Sequence, residues 1–85
     1  MVNQNQPQQP LDPSIVNLAK SISQTETKGQ SSPYTAKGAS GEYGAYQYTA
    51  PTWATDSQKY LGQNVPLESA TPAQQDEVAY KKIQD

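Results

Sequence analysis

The sequence contains no cysteine and no histidine, so its chemistry rests on carboxylates, hydroxyls, amides and lysines. This composition excludes thiolate nucleophiles, Ser–His pairs and the usual zinc ligands. Glu26 stands out because it follows an apolar stripe at the end of a predicted helix. A helix C-terminus and partial burial both disfavour an ionised carboxyl group. A protonated Glu26 would donate a proton to a glycosidic oxygen; the alternative is a solvated residue that simply ends the helix.

A second group of candidates lies in residues 42–48. Gln47 stands between Tyr46 and Tyr48, and this combination suits a sugar: amides bind hydroxyl and N-acetyl groups, while aromatic rings cover apolar sugar faces. Glu42 would supply the second carboxylate of a retaining or inverting glycosidase. The alternatives are a Tyr-rich strand whose Gln47 points to solvent, and a Glu42 that is an ordinary loop residue.

Three helices are predicted to position these residues. The first begins with Asp12 as its cap and Pro13 in its first turn, and ends before Gly29. Five of its residues fall within an arc of roughly 100°, which predicts that Glu26 projects from the face turned to the core. They are Ile15, Leu18, Ala19, Ile22 and Glu26.

The second helix is predicted to begin near Thr49 or Thr52 and to end at Gly62, with Trp53 in the core. Its inner face carries Trp53, Ser57, Tyr60 and Leu61.

The third helix begins at Thr71, where Gln74 completes a capping box, and its inner stripe is Val78, Ala79 and Ile83. It runs into Asp85 without a stop signal, which suggests a domain truncated at its C-terminus. The predicted fold is mostly α, with a Gly- and Tyr-rich irregular insertion over residues 28–50.

Composition limits the class of protein. The 85 residues suit one small domain, predicted to comprise residues 11–85 after a disordered tail or linker over residues 1–10. The net charge is −2 and no basic stripe is present, so a nucleic-acid partner is not expected. No apolar stretch approaches the roughly 20 residues of a membrane span, and no signal peptide is visible.

The order of these motifs resembles the soluble lytic transglycosylase family. An apolar helix ends in Glu-Thr-Lys-Gly and is followed by a Gly-Ser loop. Two further segments come next, Gly-Ala-Tyr-Gln-Tyr-x-x-Pro-Thr-Trp and then Thr-Pro-Ala-Gln-Gln-Asp-Glu-Val-Ala-Tyr. The sequence is also similar to transglycosylase-like domains of phage and conjugation proteins, over about residues 12–85. The family usually continues with further helices and an Ala-Tyr-Asn-Gly-like segment, which this sequence lacks.

The resemblance implies an α+β lysozyme-like fold with Glu26 as the catalytic acid and base. Thr27 stands where the family commonly has Ser or Thr, Gln47 matches the Gln that lines the glycan cleft, and Tyr46 replaces the usual Met. The substrate-binding set is therefore Gln47, Tyr46, Tyr48, Thr27 and Glu42.

The implied reaction cuts peptidoglycan glycan strands between N-acetylmuramic acid and N-acetylglucosamine, with an anhydro or a hydrolytic product, and needs no metal or cofactor. The implied place of action is the cell wall or periplasm, with the protein carried on a virion. One alternative is a non-catalytic glycan-binding or structural module that contacts other virion or secretion-system proteins. Another is a segment whose tyrosines bury against a protein partner.

Overall fold

The computed structural model describes residues 12–85. It contains three helices, α1 (Pro13–Glu26), α2 (Ala50–Leu61) and α3 (Pro72–Gln84), with 3-10 turns at Pro33–Thr35 and Leu67–Ser69. The prediction of a mostly α protein with an irregular insertion is confirmed. The predicted tail over residues 1–10 lies outside the described residues. None of the described helices has the length and apolar character needed to cross a membrane.

Each helix begins where its capping residues predict. The Asp12 carboxylate accepts the backbone N–H of Ser14 at 2.9 Å, and this bond lowers the pKa of Asp12. Thr49 caps α2. At α3, Thr71 accepts the N–H of Gln74 at 3.1 Å, and Gln74 accepts the N–H of Thr71 at 3.0 Å. This is the predicted capping box.

The core lies between α2 and α3. Trp53 is 1% exposed and packs with Val65, Ala70 and Val78. Its indole N–H donates to the carbonyl of Val65 at 2.7 Å, so its one polar atom is satisfied within the core. The prediction that Trp53 is a core residue is confirmed.

The face that α1 buries matches the predicted one only in part: Ala19 is buried as expected and Ile15 is half-buried. α1 packs against α3, and the side turned inward carries Ala19, half-buried Ser23 and buried Thr27. Leu18 is 49% exposed and Ile22 is 37% exposed. The expectation that these large residues face the core is wrong. The small side chains of the inner face allow α1 to approach α3 closely, and the larger apolar ones remain outside the contact.

Residues 28–49 form the irregular insertion between α1 and α2. Its ordered part is a tight double turn in which Lys37 bridges to Tyr43, and Tyr43 bridges to Tyr48, both antiparallel. The backbones of Tyr43 and Tyr48 exchange two hydrogen bonds, at 2.9 and 3.1 Å. The Gly- and Tyr-rich irregular insertion expected from the sequence is therefore present, and it packs beside the helices.

Candidate functional site

Glu26 is the last residue of α1, as the sequence predicts, and its side chain is exposed. The expectation of a partly buried carboxyl group is therefore wrong, because Glu26 shares the outer side of α1 with Ile22. Its backbone is nevertheless held firmly. Thr27 is 5% exposed, and its hydroxyl donates to the carbonyl of Ser23 at 2.7 Å, which anchors the helix end directly after Glu26.

Gln47 has a backbone φ of 53°, in the left-handed region that residues other than glycine rarely adopt. Its side-chain amide donates to the carbonyls of Gly44 at 2.8 Å and Ala36 at 3.1 Å. These bonds stabilise the strained turn and fix the side chain in place. The Nε2 group of Gln47 is thus engaged within the loop, while its Oε1 lies against Gly38.

Glu42 lies beside Gln47 at the same glycine. A Cβ atom at Gly38 would collide with a side-chain oxygen of Glu42 and with one of Gln47, so the loop brings these two predicted site residues together. The Glu42 carboxylate also accepts the backbone N–H of Ser40 at 3.0 Å. In this structure Glu42 therefore stabilises its own turn.

Tyr48 faces the core. Its ring meets that of Trp53 edge to face, with 5.1 Å between the ring centroids. Burial, with the nearby Asp56 carboxylate as a smaller cause, raises the pKa of Tyr48 to about 12. The structure separates Tyr48 from Tyr46, whose side chain points to the opposite side of the loop, toward α1 and α3.

The hydroxyl groups of Tyr34 and Tyr46 converge on Asp76 of α3. The Tyr46 hydroxyl donates to Asp76 Oδ1 at 2.8 Å, and the Tyr34 hydroxyl lies 2.8 Å from Oδ1 and 3.0 Å from Oδ2. Burial, followed by the hydrogen bond to Asp76, raises the pKa of Tyr34 to about 12 and raises the pKa of Tyr46 further. Both phenols therefore remain neutral donors throughout the physiological range.

Gln75, the neighbour of Asp76, ties the same loop to α3. It is 2% exposed, accepts the N–H of Ala45 at 2.8 Å, and donates to the carbonyls of Tyr34 at 3.1 Å and Ala70 at 3.2 Å. Sequence reasoning missed Gln75, Asp76 and Tyr34. The spacing along α3 could have identified Gln75 as a buried residue, because it precedes Val78 by three residues and therefore lies on the same inner face.

A groove of about 320 Å³ lies between α1, the insertion and α3. The side chains around it combine hydrogen-bonding groups with aromatic and apolar surfaces. They are Val16, Asn17, Lys20, Ser23, Gln24, Pro33, Tyr34, Tyr46, Asp76 and Tyr80. Of the residues singled out in the sequence, only Tyr46 contributes to this groove.

Glu26 is a neighbour of the groove and does not line it. It follows Ser23 by three residues on α1, so their Cβ atoms are about 5–6 Å apart. Ser23 belongs to the groove wall. The candidate acid thus lies at the end of α1, two residues after Gln24, the last residue of α1 in the groove wall, and its side chain is exposed.

Among residues 12–85, no three acidic side chains come together in an arrangement that would hold a metal ion. The groups available in this part of the chain are hydrogen-bond donors and acceptors, with one carboxylate, Asp76, and one ammonium, Lys20, in the groove.

No protein-family model matches this sequence, and neither a curated protein nor a solved structure matches it.

Proposed function

We propose that this chain is a lysozyme-like domain that cleaves peptidoglycan glycan strands in the manner of a lytic transglycosylase, with Glu26 as its acid. The observation that carries the proposal is the position of Glu26 at the end of α1, three residues after Ser23, which lines a polar, Tyr-rich groove.

The placement of the insertion supports the same proposal. Gln75 and Asp76 hold the loop that contains Tyr46 against α3, so this loop forms the groove wall facing α1. Hydroxyl groups, amides and aromatic rings together are the usual lining of sugar sites, because sugars present both hydroxyls and apolar faces. The order of helix, acid, loop and capped helix is also the order of the motifs that resemble the transglycosylase family.

The proposed reaction uses Glu26 twice. The protonated acid donates its proton to the oxygen that joins N-acetylmuramic acid to N-acetylglucosamine, and the bond from C1 to that oxygen breaks. The 6-hydroxyl oxygen of the muramyl residue then bonds to C1 and yields its proton to the Glu26 carboxylate. This step closes a 1,6-anhydro ring and regenerates the acid; attack by water in place of the 6-hydroxyl gives the hydrolytic product.

The experiment is mass spectrometry of muropeptides released from purified peptidoglycan. The substitution Glu26→Gln is expected to lower release by about 10²–10⁴-fold, the usual contribution of a general acid. The matched control is Glu68→Gln, the same substitution at an exposed position in the 3-10 turn Leu67–Ser69, which should release as much as the unmodified chain. Undiminished release by a folded Glu26→Gln variant would rule out Glu26 as the acid.

A second function, binding of glycan without cleavage, is favoured by the exposure of Glu26. The acid of a glycosidase ordinarily lies in partly buried, dry surroundings, and Glu26 does not. This function predicts that the unmodified chain sediments with insoluble peptidoglycan and releases no soluble muropeptide. Docking of a protein partner on exposed aromatics is not favoured, because Trp53 is buried and Tyr48 packs against it.

A further inference from the structure

The contact that holds α1 against α3 is made mainly by small and polar side chains. Ala19 is the one residue of the helix that is fully buried, and half-buried Ser23 continues the same face. The four larger apolar side chains of the helix are half-buried or exposed: Ile15, Val16, Leu18 and Ile22. Since helices in proteins gain most of their stability from packing an apolar face, this contact stabilises α1 only weakly.

Polar interactions do not compensate for the weak packing. Among residues 12–85, no hydrogen bond or ion pair joins α1 to another element, because the bonds of its side chains stay within the helix and its caps. The other elements are joined to one another. Gln75 of α3 bonds to the insertion at Ala45, and Lys82 of α3 forms an ion pair with Asp56 of α2.

The apolar core also excludes α1. Its buried members belong to α2, α3 and the segment between them: Trp53, Val65, Ala70 and Val78. The half-buried side chains packed around these come from α2, the insertion and the 3-10 turn that precedes α3: Tyr48, Tyr60, Leu61 and Leu67. The remainder of the described molecule therefore keeps its core and its polar ties when α1 leaves its place on α3.

The connection that follows α1 has the properties of a hinge. Residues 28–32 are all exposed. Within them, Gly29 has a φ of 83°, and no atom lies within 4 Å of the position that a Cβ would occupy. The hydroxyl of Thr27 donates to the carbonyl of Ser23, so the helix end remains one body up to this connection. Exposed residues at the end of an element commonly absorb the backbone changes of a hinge.

We propose that α1 is a hinged lid over the groove, and that it opens as a unit while α2, α3 and the insertion stay folded. Five residues of α1 form one wall of the groove: Val16, Asn17, Lys20, Ser23 and Gln24. Opening removes this wall and exposes the tyrosines and Asp76 on the other. Glu26 moves with the lid as the last residue of α1, but opening itself requires neither a glycan nor cleavage.

Hydrogen exchange of the native chain, followed by NMR, measures the opening. A helix of 14 residues is marginal in water on its own, so α1 loses its backbone hydrogen bonds once it leaves α3. Relative to their intrinsic rates, the amides of α1 should exchange at least about 10-fold faster than those of Val78 and Ala79 in α3. Low concentrations of urea should accelerate exchange in α3 more steeply than in α1, because global unfolding exposes more surface than opening does.

Val65→Ala distinguishes opening of the lid from unfolding of the whole domain. It removes core methyl groups that stay buried in the closed and the open form and become exposed only on global unfolding. Exchange in α3 should rise about 5- to 50-fold while exchange in α1 stays within about 2-fold. Ala19→Gly is the positive control and should accelerate both helices alike, because the contact that it weakens is lost in both processes. Equal acceleration of α1 and α3 by Val65→Ala would overturn the lid.

Thiol labelling gives a second measurement that does not depend on Val65→Ala folding. The chain contains no cysteine, so one introduced thiol is a unique reporter. Ala19 is 1% exposed under α1, and Ala70 is 8% exposed in the core. With each rate divided by that of the urea-unfolded variant, Ala19→Cys should react with an aromatic disulfide reagent at least about 10-fold faster than Ala70→Cys. Equal rates, or a slower reaction of Ala19→Cys, would show that α1 does not open separately.

Discussion

Replacing Gln75 with leucine is the sharpest test of how α3 holds the insertion in place. The side chain of Gln75 is 2% exposed and makes three hydrogen bonds to backbone groups of three different segments. Leucine has nearly the same volume and none of the polar atoms. The substitution therefore removes the hydrogen bonds while leaving the packing almost intact.

The magnitude follows from the groups left without partners. The N–H of Ala45 and the carbonyl of Ala70 are buried, and an unsatisfied buried polar group costs about 1–3 kcal/mol. Burial of the leucine methyl groups offsets about 1–2 kcal/mol of this loss. The expected net loss is about 1–4 kcal/mol, against a total stability of roughly 4–11 kcal/mol for a domain of this size.

Thermal unfolding followed by circular dichroism measures this effect, and a loss of about 1–4 kcal/mol lowers the Tm by about 4–30 °C. Gln58→Leu is the matched control, since Gln58 is exposed on α2 and its substitution should change stability by less than about 0.5 kcal/mol. If Gln75→Leu unfolds within about 2 °C of the unmodified chain, the loop is not held by this amide.

Gln75→Glu refines the test through its pH dependence. One oxygen of the carboxyl group would still accept from Ala45, but the other would face the carbonyls of Tyr34 and Ala70. Only a protonated acid has an O–H to donate, and it can donate to one of these two carbonyls. Folding then favours the protonated form and raises the pKa of the introduced acid above its unfolded value of about 4.3. The variant should approach the stability of the unmodified chain below about pH 4.3 and lose it as the pH rises through the folded-state pKa.

Two further measurements test the loop and the tyrosine cluster. Gly44→Ala should lower the stability by about 2–4 kcal/mol in urea unfolding, because Gly44 has a φ of 90° and an added Cβ would meet the Gln75 amide. Gly29→Ala is its control, with a similar φ of 83° and open space around the added atom, and an equal loss in both variants would contradict the role of the amide. Ultraviolet titration of the phenols should show Tyr34 and Tyr48 ionising near pH 12, so their contribution to stability is complete below about pH 10 and disappears as the pH rises through 12. Complete phenol ionisation near pH 10 with the fold intact would show that neither side chain is buried as described.

The helix boundaries were predictable because local chemistry determines them. Asp12, Thr49 and Thr71 each precede a proline or a proline-containing first turn, and each accepts a backbone N–H of the following helix. Gly62 ends α2 with a φ of 78°, a conformation that glycine adopts without cost. These interactions span four residues or fewer, so the sequence contains all the information they need.

The buried face of α1 was only partly predictable from its own pattern. Periodicity correctly places Ala19 on the inner side, but that side continues with Ser23 and Thr27 and leaves the large apolar residues exposed. The choice depends on a long-range contact, in which close approach to α3 favours small side chains over Leu18 and Ile22. The same limit applies to Asp76, whose partners Tyr34 and Tyr46 are 42 and 30 residues away in the chain.

Because Glu26 is exposed, the dry surroundings that the proposed cleavage needs would have to come from the bound substrate. Because the free domain leaves this carboxyl group in water, the fold alone does not supply the dry surroundings that a proton donor requires. A glycan strand that occupies the groove and continues past Ser23 would cover Glu26 and the neighbouring Ile22 and displace water from both. The proposed cleavage therefore requires that the groove and Glu26 bind the same strand, since a glycan held anywhere else would leave the carboxyl group in open water.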